Sequence, residues 1–437
     1  MHIYRARVFD TPTNPFTGGT LRTDADIALV VDDGEIIART DIRSATATYP
    51  TAEVVDLRDG ILIPGLIDTH VHYPQIRAIG HLGKPLLEWL DECALPEEEK
   101  LAEDAYAHQL AGEFLTGLIS SGTTSAMVFG SHFASAVDIL FARAQELGIR
   151  MTAGLVTSDR TLPEPLLTTI DQSLTEAQQL IERWHGTGRL RYAVTPRFSL
   201  SAGPDLLAAH GELVRDNPSI WVTSHINENQ DEISGVAAIH PDAQDYLDTY
   251  AIAGLLSEQT ILAHNVHPTD RELTRMAETG LAVAHCPTSN SALASGFFPL
   301  KRHIETGVNV ALGSDVGAGN GFSLLKEGVQ AYFMQQLDPS GGLPLTAAHL
   351  LHLATSAGAQ ALNLDAQVGD LSVGKRFDAV FIRPTAGHPL DVGLTHAADD
   401  EGALAKIFAL GTPADIDSVW IDGQLVKSPS QHQTVVL

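Results

Sequence analysis

Eight times along this chain a β-rich segment runs into polar or ionisable residues and is then followed by a stretch of helical spacing. The segments are 61–72, 123–130, 150–157, 191–200, 220–228, 260–267, 281–286 and 308–316. Between them, 134–147, 174–184, 205–214 and 269–279 mix Ala, Leu, Glu and Gln with apolar residues three and four apart, as an amphipathic helix requires. Repeated strand–helix alternation of this kind predicts an α/β protein with a TIM-like (β/α)8 barrel. A further helical stretch, 344–363, follows the eighth segment and is expected to complete the outer layer.

The chain ends have a different texture. Ile27-Ala28-Leu29-Val30-Val31 and Glu35-Ile36-Ile37-Ala38 flank Asp32-Asp33-Gly34, which reads as a hairpin. The tail repeats the pattern with Ala379-Val380-Phe381-Ile382, then Val419-Trp420-Ile421 before Asp422-Gly423. One small β-sandwich-like domain built from 1–59 and 369–437 is therefore expected, with the barrel, 60–368, inserted between its halves.

Charge and composition narrow the partners. With 54 acidic against 27 basic side chains the formal charge is −27, the wrong sign for a nucleic-acid groove or an anionic membrane. Cys93 and Cys286 are too few for a disulfide framework, and no run approaches the length of a membrane span. A soluble cytoplasmic protein is the expectation.

A barrel of this type carries its chemistry at the C-terminal strand ends. The first segment ends Asp68-Thr69-His70-Val71-His72, and residues two apart on a strand share a face, so both imidazoles can reach one metal ion. The fifth ends near His225, the sixth at His264 and the eighth at Asp315. Imidazoles with a carboxylate suit a divalent first-row ion, zinc first and iron(II) next, with one position open to water. Glu228, three residues beyond His225, is a second carboxylate suited to proton transfer. Two such groups with separate tasks are what water addition to a C=N bond needs.

At these residues the chain resembles the amidohydrolase superfamily. The resemblance runs through Pro64-Gly65-Leu66-Ile67-Asp68-Thr69-His70-Val71-His72, His225-Ile226-Asn227-Glu228, Ala263-His264, His285-Cys286-Pro287-Thr288-Ser289-Asn290, Gly313-Ser314-Asp315 and Val368-Gly369-Asp370-Leu371. Within that superfamily it resembles the guanine deaminases in Tyr73-Pro74-Gln75, Leu86-Leu87-Glu88-Trp89-Leu90 and Thr195-Pro196-Arg197-Phe198-Ser199.

The resemblance implies one zinc ion per chain on His70, His72, His225 and Asp315, with His264 hydrogen-bonded to the bound water. It implies Glu228, Asp315 and His264 as catalytic residues. Gln75, Trp89, Arg197 and Phe198, with His225 and Glu228, are implied to bind the purine, and a homodimer is the implied assembly. No Lys stands at the fourth strand end, where two-metal relatives carry a bridging carboxylated lysine, so one metal is expected. The Pro-Cys-x-x-Cys element of cytidine-deaminase-like zinc enzymes is absent.

Trp89 lies in a long connection expected to form part of a lid, ahead of a helix beginning near Glu98. His285 is a candidate for orienting the site, Cys286 is read as a packed thiol, and His81, His132, His303 and His352 receive no functional role. Deaminases of 8-oxoguanine, a pterin, cytosine or an aminotriazine are the neighbouring alternatives. A non-catalytic metal- and purine-binding scaffold is the alternative of another class.

Overall fold

The computed structural model describes residues 1–428, so positions 429–437 of the expected terminal domain lie outside the described residues. Eight parallel strands follow one another around the barrel in sequence order: Leu66–His72, Thr123–Phe129, Arg150–Gly154, Leu190–Pro196, Trp221–Ile226, Thr260–His264, Ala282–His285 and Asn309–Leu312. The expected (β/α)8 architecture is borne out. The ring is drawn shut where the first strand meets the chain leaving the eighth. There the Asp315 N–H donates to the His70 carbonyl at 2.9 Å and the His72 N–H to the Val316 carbonyl at 3.1 Å.

Strand register determines what fills the barrel. Thr223 pairs with Ile261 and His225 with Ala263, while Ala263 pairs with Ala284 and Ala284 with Ala311. These residues share one face with Trp221, and of them Ile261, Ala263, Ala284 and Ala311 form an apolar cluster with Trp221, Met127, Ala193 and Cys286. The opposite strand faces pack beneath the helices, as in the cluster holding Phe114, Leu140 and Leu206. The helices Ala134–Leu147, Ile170–Trp184, Pro204–Asp216 and Asp270–Thr279 fall on the expected stretches. The last of them opens with a reciprocal cap between Thr269 and Glu272, which satisfies backbone donors that would otherwise lack partners.

Four details differ from the sequence expectation. The segment 61–72 is not one strand: Glu53–Pro64 belongs to the outer sheet, and the barrel strand begins at Leu66. Both pieces are apolar, so hydrophobicity carries no mark of the change at Gly65. The stretch 344–363 is two helices, Ala347–Ala354 and Ser356–Ala361, interrupted at Thr355. A helix at Leu324–Leu337 precedes them, and two more, Pro389–Thr395 and Asp400–Leu410, lie inside the supposedly all-β tail.

The terminal segments form one continuous seven-stranded sheet rather than two facing sheets. Its order is Gln424–Lys427, Ile416–Ile421, Ala379–Ile382, Glu53–Pro64, His2–Asp10, Arg22–Asp32 and Glu35–Thr40. Bulges in Arg22–Asp32 and Glu53–Pro64 bend it, and the sheet curls until the Phe377 N–H donates to the Gly34 carbonyl at 2.7 Å. Tyr4, Phe377 and Trp420 pack inside the curl. The Asp33-Gly34 hairpin has φ of 46° and 77°, the left-handed pair that such a tight turn needs. No helix among the described residues is long and apolar enough to cross a membrane.

Candidate active site

Four strand ends deliver a compact set of donor atoms. His72 Nε2 lies 3.1 Å from His70 Nε2, 3.2 Å from His225 Nε2 and 3.2 Å from Asp315 Oδ1. His70 Nε2 is also 3.2 Å from Asp315 Oδ1. A regular tetrahedron around a zinc-sized ion, with bonds of about 2.0–2.1 Å, has edges of about 3.3 Å, so these spacings fit one ion. The donor atoms of His70, His225, His264 and Asp315 also lie within 4.8 Å of one another. His72 Nε2, at 3.1–3.2 Å from three of these residues, adds a fifth donor to the cluster.

Burial keeps the imidazoles in the form that ligation requires. It pushes His70 down to about 4 and His225 well below its ordinary range, so both are neutral. The His225 Nδ1–H donates to the Arg197 carbonyl at 2.6 Å, which leaves the Nε2 lone pair facing the cluster. Asp315 is also buried, which raises a carboxyl, but hydrogen bonds from His70 and His72 outweigh this and hold it well below the carboxylate range. His264 and Asp315 have φ of 75° and 46°. A left-handed turn at a strand end is costly for a non-glycine residue, and here it aims both side chains at the cluster.

The barrel seam beneath is pinned by residues to which the sequence reading gave no role. Asp68 accepts from the Ser314 N–H at 3.0 Å and the Ser314 hydroxyl at 2.5 Å, tying the first strand to the chain after the eighth. Gly313 lies against His70, and a Cβ there would come within 2.8 Å of His70 Cβ and 3.1 Å of Cys286 Sγ. Gly313→Ala is expected to cost about 1–3 kcal/mol of stability and to weaken metal binding, because the added methyl presses on His70. A thermal melt and a metal titration of the variant check both effects.

A cavity opens above the cluster, lined by His72, His225, His264, Asp315 and Glu228 on the ionisable side. Gln75, Trp89, Arg197 and Phe198 line it as well, joined by Leu86, Leu90, Leu293 and Ala318. His70 is fully buried and does not reach the wall. Glu228 is 3 % exposed, with Oε2 at 3.5 Å from His264 Nε2 and Oε1 accepting from the Ser295 hydroxyl at 3.3 Å. Burial, then Glu232 and Asp315, push its carboxyl well above the ordinary range, so it retains a proton. His264 Nδ1 hydrogen-bonds Asn290 Oδ1 at 3.0 Å, turning Nε2 towards Glu228 and Asp315. Trp89 stands in a run of short helical turns, 86–102, and the long helix after it, Asp104–Ser120, starts six residues beyond Glu98.

Two residues that sequence reasoning passed over belong to this neighbourhood. Glu98 is buried, accepting from Gln75 Nε2 and Arg197 Nη1, and His132 Nε2 lies 3.3 Å from it. Glu98 stands in the acidic run Glu97-Glu98-Glu99, which reads as a solvated face, and nothing in the spacing marks it as internal. His285 is buried and stacked on Phe298 at 4.1 Å rather than lining the cavity, and Cys286 is buried and free.

Residues 61–426 match the amidohydrolase family, and the chain belongs to it. It is accordingly a hydrolase of carbon–nitrogen bonds, from a metal-dependent family and with a site that fits a metal ion. Its relatives are more specific: a probable guanine deaminase of Deinococcus radiodurans is 56% identical, with 98% of each chain covered. The solved guanine deaminase of E. coli has a TM-score of 0.94 at 36% identity, covering 98% of this chain and 100% of its own. That of C. acetobutylicum, with guanine bound in its active site, has a TM-score of 0.89 at 28% identity, covering 97% and 99%.

Proposed function

We propose that this chain is a guanine aminohydrolase that converts guanine and water to xanthine and ammonia. The observation that carries this reading is the single cavity that brings a protonated carboxyl, Glu228, and a five-donor His/Asp cluster together with Gln75, Arg197 and Phe198. The guanine deaminase relatives support the same substrate.

His70, His72, His225 and Asp315 would hold one divalent ion, zinc by preference for this nitrogen and oxygen donor set and iron(II) as the alternative. Such an ion, when bound, makes water nucleophilic near neutral pH. The protein's own groups then handle protons and orientation. Water gives its oxygen to C2 of guanine and its two protons to nitrogen. Glu228 delivers one proton to N3 as the C2=N3 double bond opens. Asp315 passes the other to the exocyclic amine, the C2–N bond breaks, and the C2 carbonyl of xanthine forms. His264 Nε2, held by Asn290, hydrogen-bonds the attacking water. Gln75 and Arg197 orient the purine edge, and Phe198 and Trp89 exclude solvent.

A cytoplasmic homodimer completes the proposal. The free, buried Cys93 and Cys286 favour a reducing compartment, and sedimentation equilibrium tests the assembly. The substrate is tested with the metal-loaded protein by comparing ammonia release from guanine, 8-oxoguanine, a pterin, cytosine and an aminotriazine. Guanine is expected to have the highest kcat/KM by at least about tenfold, because a pocket built around a substrate's hydrogen-bonding edge rejects analogues that leave its polar groups unpaired. A higher value for another ring would reassign the substrate while leaving the metal and proton carriers in place.

A further inference from the structure

Arg197 brings a full positive charge to a cavity that, on the reading above, accepts a neutral purine. That charge is already paired. Glu98, 2 % exposed, accepts from Arg197 Nη1 at 2.5 Å through Oε2 and from Gln75 Nε2 at 2.8 Å through Oε1. Burial alone would raise its carboxyl, but Arg197 and His132 outweigh burial and hold it well below the carboxylate range. His132 is itself buried, which pushes its imidazole down and leaves it neutral. Glu98 and Arg197 thus form a pair whose charges cancel. A buried ion pair adds little stability over apolar residues of the same volume, so a carboxylate placed against the wall residues Arg197 and Gln75 is better explained by what it does to the ligand.

We infer that Glu98 is the positioning and charge-setting residue of the purine pocket. It holds the Arg197 fork and the Gln75 amide in place and cancels the guanidinium charge, so that the pocket favours neutral purines over purine anions. The inference rests on the guanine reading and adds a consequence to it. Exchanging an amine for a carbonyl at C2 gives a dione whose ring N–H ionises close to neutral pH, so the product is partly an anion where the substrate is neutral. An unpaired Arg197 would retain that anion in a site of low dielectric, whereas the Glu98–Arg197 pair lets it leave.

The test is calorimetric binding of two purines to the metal-loaded protein in mildly alkaline buffer, where xanthine is largely an anion and hypoxanthine largely neutral. The quantity read is the ratio of their dissociation constants, xanthine over hypoxanthine, which a general loosening of the pocket does not move. Glu98→Gln is expected to lower the ratio about tenfold or more, because it exposes the Arg197 charge to the anion. Arg197→Gln, which leaves Glu98 unpaired, is expected to raise it. The double variant should return it to within about threefold of the unaltered protein, by cancellation of the two opposing shifts. Glu98→Asp keeps the charge and should weaken both purines without changing the ratio.

The inference is overturned if the single variants shift both purines by the same factor. Should Glu98→Gln fail to fold, the opposite shift in Arg197→Gln and its reversal in the double variant still decide the matter. A protein that turns over guanine with an unmoved ratio overturns this inference alone. One that binds neither purine overturns the guanine reading as well.

Discussion

Glu228→Gln is expected to lower kcat for guanine by about 10²–10⁴-fold while metal content and melting temperature stay as they were. The amide keeps the shape of the carboxyl and a hydrogen-bonding atom for Ser295, but it has no acidic proton to give to a ring nitrogen. Glu228 lies in the cavity wall, buried, 3.5 Å from His264 and hydrogen-bonded to Ser295, and is not one of the four proposed metal ligands. The effect should therefore appear in turnover rather than in metal binding. Steady-state kinetics with metal analysis on the same preparation separates this outcome from that of a scaffold, which would bind purine equally well in both forms and have no turnover to lose. Retention of more than half the activity would remove Glu228 from the mechanism.

His225→Ala is the second large effect. This ring has Nε2 at 3.2 Å from His72 Nε2 and Nδ1 against the Arg197 carbonyl, and it packs on Phe129 at 4.5 Å and stacks on His264 at 5.4 Å. Removing it takes away a donor and frees the backbone carbonyl that sits beside the purine-binding Arg197. Metal content is expected to fall from about one ion per chain to a small fraction, and turnover to fall with it. The melting temperature should also drop, because the side chain is buried and its removal leaves a cavity. Full metal occupancy in the variant would contradict the ligand assignment.

The parts of the site that could be read in the sequence are those carried by strand ends. His70, His72, His225, His264 and Asp315 each close a β-rich segment, and a parallel barrel brings all such ends to one rim. His70 and His72 share a face because the strand runs through both residues. What escaped the sequence lies off those ends. Glu98 arrives from an acidic run in a connection of short turns, and its burial depends on Arg197 and His132, which come from other strand ends. His132, read as functionless, is drawn in by the same carboxylate.

The boundary at Gly65 escaped for another reason. Hydrophobicity runs unbroken from Ile61 to Leu66, while the hydrogen-bonding partner changes from Ala379–Ile382 to Thr123–Phe129. The two helices between Pro389 and Leu410 interrupt a tail whose flanking strands gave it an all-β texture. In both places pairing across the fold decides the structure, and local sequence does not record the partner.

The central claim is tested most directly by following the oxygen and the nitrogen of the reaction together. The metal-loaded protein is incubated with guanine in ¹⁸O-labelled water, and the purine product and ammonia are quantified by mass spectrometry. Xanthine carrying a single labelled oxygen at C2, with ammonia released in equal amount, is the result expected of this site. Guanine recovered unchanged from a protein that holds its metal ion would contradict it.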